Sequence, residues 1–160
     1  MREFTLLGFV EHLAVIGAEV VEAEHHALEH AAKLVEAEAK ASVGTYQAQA
    51  GPFAAWEDLA ESTQEERGRL GYPEDEPELR TGEMRDSIEH TVLAHAKEAE
   101  VGSDSQILEW QELGTTKMPP RSILGGAAAR KADEVADVIG GRVYAALVGG
   151  QVFQRRLPII

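Results

Sequence analysis

The chain has 160 residues, 44% hydrophobic and 6% aromatic, which is the size of one domain with enough apolar content to bury a core. Its 28 acidic side chains outnumber 15 basic ones and leave a net charge of -13, which argues against affinity for the phosphate backbone of nucleic acid, where Lys and Arg must release counterions. With no cysteine, disulfide scaffolds, thiolate metal sites and cysteine nucleophiles are excluded; no apolar run reaches the roughly 20 residues that span a bilayer, and Glu11 and His12 interrupt the one N-terminal stretch resembling a signal segment, so we expect a soluble protein made inside the cell.

The acid is uneven along the chain. Residues 1–80 carry 6 basic and 17 acidic side chains, and residues 81–160 carry 9 and 11. Two halves so differently charged face different surroundings, or one of them is a solvated helix plus a loop.

From Thr5 to Val43 the periodicity predicts one long helix. It has no proline, and Leu6, Val10, Leu13, Val20 or Val21, Leu28, Ala31 and Val35 make a stripe about one face wide, with Gly17 on it. A helix of nearly forty residues cannot bury such a stripe inside a domain this small, so packing on another subunit is expected. Residues 45–80 then read as an extended excursion of the single domain 1–160, with three prolines and the acidic run Pro73 to Pro77. A turn or two of helix is expected around Ala54–Ala60, and Ser62 or Thr63 heads a capping-box pattern for another. Phe53, Trp56, Leu59 and Tyr72 argue against full disorder there.

At Ser87 the period changes to two. Ile88, His90, Val92, Ala94 and Ala96 alternate with Glu89, Thr91, Leu93, His95 and Lys97, and a turn near Lys97-Glu98 with a return strand Ala99–Gly102 makes an antiparallel hairpin. Asp104 or Ser105 is placed to cap a short helix carrying Ile107, Leu108 and Trp110, which Gly114 ends. Pro119-Pro120 is expected at the first turn of a C-terminal helix over Arg121 to Leu147, burying Ile123, Leu124, Ala127, Ala128, Val135, Val138 and Ile139, with Gly140-Gly141 weakening or kinking it. A last strand is expected over Gln151 to Leu157. The predicted class is α+β: a long N-terminal helix, a hairpin-based antiparallel sheet, a C-terminal helix packed on that sheet and a short C-terminal strand.

Few residues carry enzyme-like chemistry. His26-Ala-Leu-Glu29-His30 puts two histidines at i and i+4 on one helical face, the spacing of a zinc site and the H-x-x-E-H order of one class of zinc protease, with Glu22 a possible third ligand. A crowded polar helix face explains the same residues, and nothing nearby is suited to bind substrate or activate water. Gly114-Thr-Thr-Lys117 lacks the second glycine of a phosphate loop and runs into two prolines. There is no G-x-S-x-G, and the basic pairs Arg130-Lys131 and Arg155-Arg156 have no interleaved aromatics for nucleic-acid readout. No cofactor or metal is expected.

A more specific pattern runs through the middle of the chain. Leu79-Arg80-Thr81-Gly82-Glu83-Met84-Arg85-Asp86-Ser87-Ile88 resembles the L-x-x-T-G-x-L-R-x-S-I stretch of the neck and tail-completion proteins of long-tailed bacteriophages. Val101-Gly102-Ser103 resembles the V-G-[ST] that ends their hairpin, and Glu109 to Arg121 is similar to their E-[FL]-G-T-x-x-[MR]-P-x-R segment. Trp56-Glu-Asp-Leu59 before Ser62-Thr63 resembles the W-x-x-L-x-x-x-T of the Mu-like virion-morphogenesis branch. The chain departs in having Ser122-Ile123-Leu124 for Pro-Phe-Leu, and Gln106-Ile107-Leu108 where an aromatic is usual.

The resemblance implies a structural virion protein, not an enzyme: a homo-oligomeric ring, commonly of six copies, at the head–tail junction or proximal tail end, acting as neck, tail-completion or terminator layer. Its partners would be further copies of itself, the head-closure or connector protein and the tail tube protein. DNA would pass its channel without specific binding, acidic residues of the N-terminal half facing that channel; no membrane is involved, and the protein would reside in the virion after assembly in the host cytoplasm. Interface residues implied are Trp56, Arg85, Leu113, Lys117, Met118, Arg121, Arg155 and Arg156, and residues Gln151–Leu157 could add a strand to a neighbour's sheet. Two readings from other classes are a small zinc hydrolase using His26, Glu29 and His30, and an acidic DNA mimic that binds a basic partner.

Overall fold

The computed structural model of the chain describes residues 6–93, 95 and 97–147. Its elements in order are helix α1 (Leu6–Ser42), α2 (Glu61–Leu70), a single turn α3 (Glu83–Asp86), strands β1 (Glu89–Leu93) and β2 (Glu98–Gly102), then α4 (Gln106–Leu113) and α5 (Leu124–Leu147). The class is α+β, with the long helix, the antiparallel hairpin and the C-terminal helix in the expected order.

Helix α1 is the platform on which the rest is laid. Helix α5 packs along it, and both strands lie against it as well. The two helices are antiparallel: Arg130 near the start of α5 donates from Nε to Glu38 at 2.5 Å, while Arg142, Ala145 and Ala146 line one groove with Glu19, Glu22, Ala23 and His26. Close approach is made possible by small side chains, since Ala27, Ala31, Ala32 and Ala39 of α1 and Ala127 of α5 are the buried ones. Helix α5 starts at Leu124, three residues later than the sequence pattern places it, and runs through Gly140-Gly141 as helix to Leu147. Pro119-Pro120 therefore lies outside its first turn. Ile123 is fully buried and Leu124, Val135, Val138 and Ile139 are half-buried, but Ala128 is exposed.

The hairpin pairs Glu89 with Gly102 and Leu93 with Glu98. His90, Val92, Ala99 and Val101 turn toward α1 and Glu89, Thr91, Glu98 and Glu100 to solvent, the two-residue alternation expected. Strand β1 ends at Leu93 and β2 begins at Glu98, with Lys97 at φ +56°; Ala94 and Ala96 of the expected alternation lie outside the described residues.

The core gathers Ala39 of α1, Val43 just beyond its end, Trp56, Met84, Ile88, Leu108, Ile123 and Ala127, flanked by Val35, Tyr46, Leu79, Val101 and Leu124. Residues 45–80 lie over this core and are tied to it. Gly44 N–H donates to Pro77 O at 2.7 Å, Trp56 N–H to Gln47 O at 2.9 Å, and Tyr46 Oη donates to Asp75 at 2.6 Å while accepting from Leu59 N–H at 3.0 Å. Residues 54–60 are not helical. The helix of this segment is α2, headed by Ala60 with no side-chain cap, so Ser62 and Thr63 lie inside its first turn rather than capping it. Its end follows the αL pattern: Gly71 at φ +78°, its N–H on Gly68 O, and Tyr72 N–H on Arg67 O. The C-terminal strand expected over Gln151–Leu157 lies outside the described residues.

Candidate functional site

The residues of the phage-like motifs lie close together in the fold, and most of them hold the framework. Thr81-Gly82 makes a turn with Gly82 at φ +88°, but what it launches is the single turn α3, with strand β1 following. Met84 and Ile88 point into the core, and Ser87 Oγ lies 2.6 Å from Ser103 Oγ, joining the motif's first and second parts across the base of the hairpin. Gly114 has φ +73°, and a Cβ there would stand 2.8 Å from Pro120 N, so this glycine is needed where the chain folds back. Thr115 and Met118 then bridge each other, Thr115 N–H donating to Met118 O at 2.9 Å, and Arg121 N–H returns to Gln111 O at 2.7 Å.

Glu112 has a part that sequence inspection missed. Its carboxylate accepts the N–H groups of Ile123, Leu124 and Gly125 at 2.7–2.9 Å and the Ser122 hydroxyl at 2.5 Å, while Ser122 Oγ accepts from Gly126 N–H. An anion is thus set on the N-terminus of α5, where the unpaired donors and the helix dipole favour it. No sequence signal marks it, because Glu112 lies eleven or more residues before the N–H groups it accepts.

Two residues expected at an interface are interior. Trp56 is a core side chain. Arg121 is buried, pairing through Nη1 with Glu78 Oε1 at 3.3 Å and donating from Nη2 to Glu57 O at 2.9 Å, so it ties the 45–80 segment to the start of α5. Glu78 has φ +64°, and burial pushes its carboxyl above the usual range against the pull of Arg121 and Arg67. Burial holds the Arg67 guanidinium below its usual value, and its Nη1 donates to Glu76 O at 2.6 Å and Leu79 O at 3.3 Å. Arg85 is half-buried and bridges to Asp86 of its own chain at 2.9 Å. Arg155 and Arg156 lie outside the described residues.

The other three form part of one surface. Leu113 and Lys117 are exposed and Met118 half-buried, beside the exposed Ile107 and Trp110 of α4. Ile107, Trp110, Lys117 and Met118 line an open groove of about 590 Å³ whose floor is Met84, Leu59 and the Arg121–Glu78 pair. The spacing of 107, 110 and 113 along one face of α4, opposite the buried Leu108, would have marked this patch in the sequence.

A larger uncovered surface lies on α1. Leu7, Phe9, Val10, Leu13, Val15 and Val21 are all exposed, Leu7 by 69%. Between residues 6 and 21 only Glu11, His12 and Glu19 are polar. Val10, Leu13 and Val21 belong to the predicted stripe, whose later members Leu28 and Val35 are half-buried and Ala31 buried. No helix among the described residues is long and apolar enough to cross a membrane.

The His26–Glu29–His30 segment is arranged otherwise than a metal site needs. Glu29 pairs with Lys33 at 2.7 Å and lies 3.4 Å from His90 Nε2; His26 stands 3.8 Å from Glu22, and His30 is exposed. Among the described residues no three His, Asp or Glu side chains converge as metal ligands. His90 lies between Glu29 and Glu36, its Nδ1 on the Glu36 carboxylate, and the pair raises its imidazole above the usual value, Glu36 contributing most. No family model, curated protein or solved structure matches this chain.

Proposed function

We propose that this chain is a structural subunit of a tailed-phage or prophage virion, assembling with copies of itself into a ring at the head–tail junction or proximal tail end. There it would join connector to tail tube, with DNA passing through unbound. The observation that carries the self-association is the bare N-terminal half of α1. Leu7, Phe9, Val10, Leu13, Val15 and Val21 are exposed in the single chain, in a stretch whose polar side chains are only Glu11, His12 and Glu19. A helix apolar on several faces is stable when enclosed, and an exposed patch of that kind marks an interaction surface. The motif resemblance over Leu79–Ile88, Val101–Ser103 and Glu109–Arg121 supplies the kind of assembly, and with it six copies, the virion location and a role by shape and contact rather than catalysis. The groove rim at Ile107, Trp110 and Met118, with the exposed Leu113 on the same helix, is a second surface suited to a neighbouring layer.

Light scattering across a concentration series, alone and with head-closure and tail tube proteins, tests this reading. A discrete ring, alone or induced by one of those partners, is the expected result. A monomer at every concentration that ignores both partners would overturn it. One tightly bound zinc per chain would point to the hydrolase, and salt-sensitive binding to a basic protein without self-assembly to the DNA mimic.

A further inference from the structure

The uncovered half of α1 has a specific counterpart in the same sequence. Residues 148–160, Val-Gly-Gly-Gln-Val-Phe-Gln-Arg-Arg-Leu-Pro-Ile-Ile, lie outside the described residues; they hold six large apolar side chains, two arginines and no acid. Residues 6–32 of α1 hold Glu11, Glu19, Glu22, Glu24 and Glu29 and no Lys or Arg. The two segments are complementary in charge, and each is rich in apolar side chains.

Position and length agree with this. Helix α5 delivers the chain at Leu147 beside Glu19–His26 of α1, where the cover of its stripe runs out. From Val21 back to Leu7 is about 21 Å of helix, and thirteen residues reach up to roughly 43 Å. The own hairpin covers the stripe as far as its tip, where Lys97 pairs with Glu24 at 2.9 Å. Beyond the tip a groove of about 510 Å³, lined by Ala18, Val21, His25, Leu28 and Lys97, opens toward the bare residues. It is a place for an apolar side chain to begin continuing that cover.

We infer that the N-terminal half of α1, from Leu7 to Val21 with the adjoining groove, receives residues 148–160 of a neighbouring copy. This rests on the ring reading, because a closed ring of identical subunits requires two different patches that fit each other. Bare α1 pairing with bare α1 would make a two-fold dimer and set Glu11 and Glu19 of one copy against those of the other. A basic apolar arm against an acidic apolar helix gives the head-to-tail contact that closes by rotation.

The absence of cysteine allows a clean test. Full-length Leu13→Cys and Phe153→Cys proteins, one enlarged by a tag, are purified separately, mixed and oxidised, and the disulfide species are sorted by mass. A mixed disulfide several-fold more abundant than either like pair is the expected result. A predominance of Leu13→Cys pairs, of Phe153→Cys pairs, or no disulfide at all overturns the inference. So does an intrachain disulfide in the double variant with none between the separately made chains, which would place the arm on its own α1. The mass of the unsubstituted protein separates the two levels. A ring without the mixed disulfide sinks this contact alone, and a mixed disulfide in a protein that stops at two copies sinks the ring.

Discussion

The two halves of α1 are one unbroken helix with opposite fates. From residue 27 to its end at Ser42 it is packed on two sides, by α5 and by the hairpin with the core, and the buried side chains there are Ala27, Ala31, Ala32, Ala39 and Ser42. From residue 7 to 21 it carries Leu, Phe and Val, and they stand in water. The more hydrophobic half is the exposed one. Small side chains let neighbouring elements approach within the chain, whereas bulky ones on a bare helix provide contact area for a partner. Hydropathy ranks these halves in the wrong order for burial because burial depends on what lies opposite.

Substitutions sharpen the contrast. The largest effect is expected at Arg121→Ala, which removes the guanidinium paired with the buried Glu78 carboxylate and releases the 45–80 segment from the packed half; about 3–5 kcal/mol of stability should be lost in denaturant unfolding. Next comes Ala39→Leu, where room for three more heavy atoms must be found in a fully buried site; a loss of about 1–3 kcal/mol is expected from the same measurement. If Ala39→Leu is tolerated at no cost, the close packing of this half is refuted.

A smaller effect follows from pH. His90 faces Glu29 and Glu36, which in turn face Lys33 and Lys40, so all five groups of this contact between hairpin and α1 are charged together. Lys33 for Glu29 and Lys40 for Glu36, each aided by His90, hold these carboxyls below their ordinary 4.5, and the carboxylates hold His90 above its ordinary 6.5. The stabilisation from His90 is complete below 6.5 and is lost as pH rises through its raised value. The stabilisation from the carboxylates is complete above 4.5 and is lost as pH falls through their lowered values. Protection of the β1 and β2 amides against exchange, corrected for the intrinsic rate at each pH, should be greatest between those limits, and His90→Gln should flatten the upper arm. The smallest change in stability is expected at Val10→Ser with Leu13→Ser, within about 0.5 kcal/mol for each exposed site. The same variant should lose self-association in light scattering, and an assembly of unchanged mass would show that the bare half is not the contact.

Much of the fold was readable from pattern. The long helix was placed within a residue at each end, because Thr5 to Val43 contains no proline and repeats every three or four residues. The hairpin faces followed from the alternation at His90, Val92, Ala99 and Val101. Capping was read less well. Ser62, Thr63, Asp104 and Ser105 are all good N-cap residue types, yet neither α2 nor α4 has a side-chain cap, while α5 takes Glu112 from eleven or more residues away. Propensity covers neighbours in sequence, and this cap is a neighbour only in space. The motif resemblance puts Trp56 and Arg121 at an interface, and they are interior because Glu78, Glu57 and the core are brought to them by folding.

The class of fold, the span of α1, the strand alternation and the surplus of apolar side chains on a helix too long for its domain can all be read from residue order. These follow from periodicity and composition, which are local. The tertiary structure alone decided which half of that helix is covered, since α5 and the hairpin end near residues 19–26. It also decided that Arg121 and Glu78 meet across forty-three residues, and that a carboxylate on α4 closes the start of α5. Each depends on distances between segments far apart along the chain, and only packing sets those.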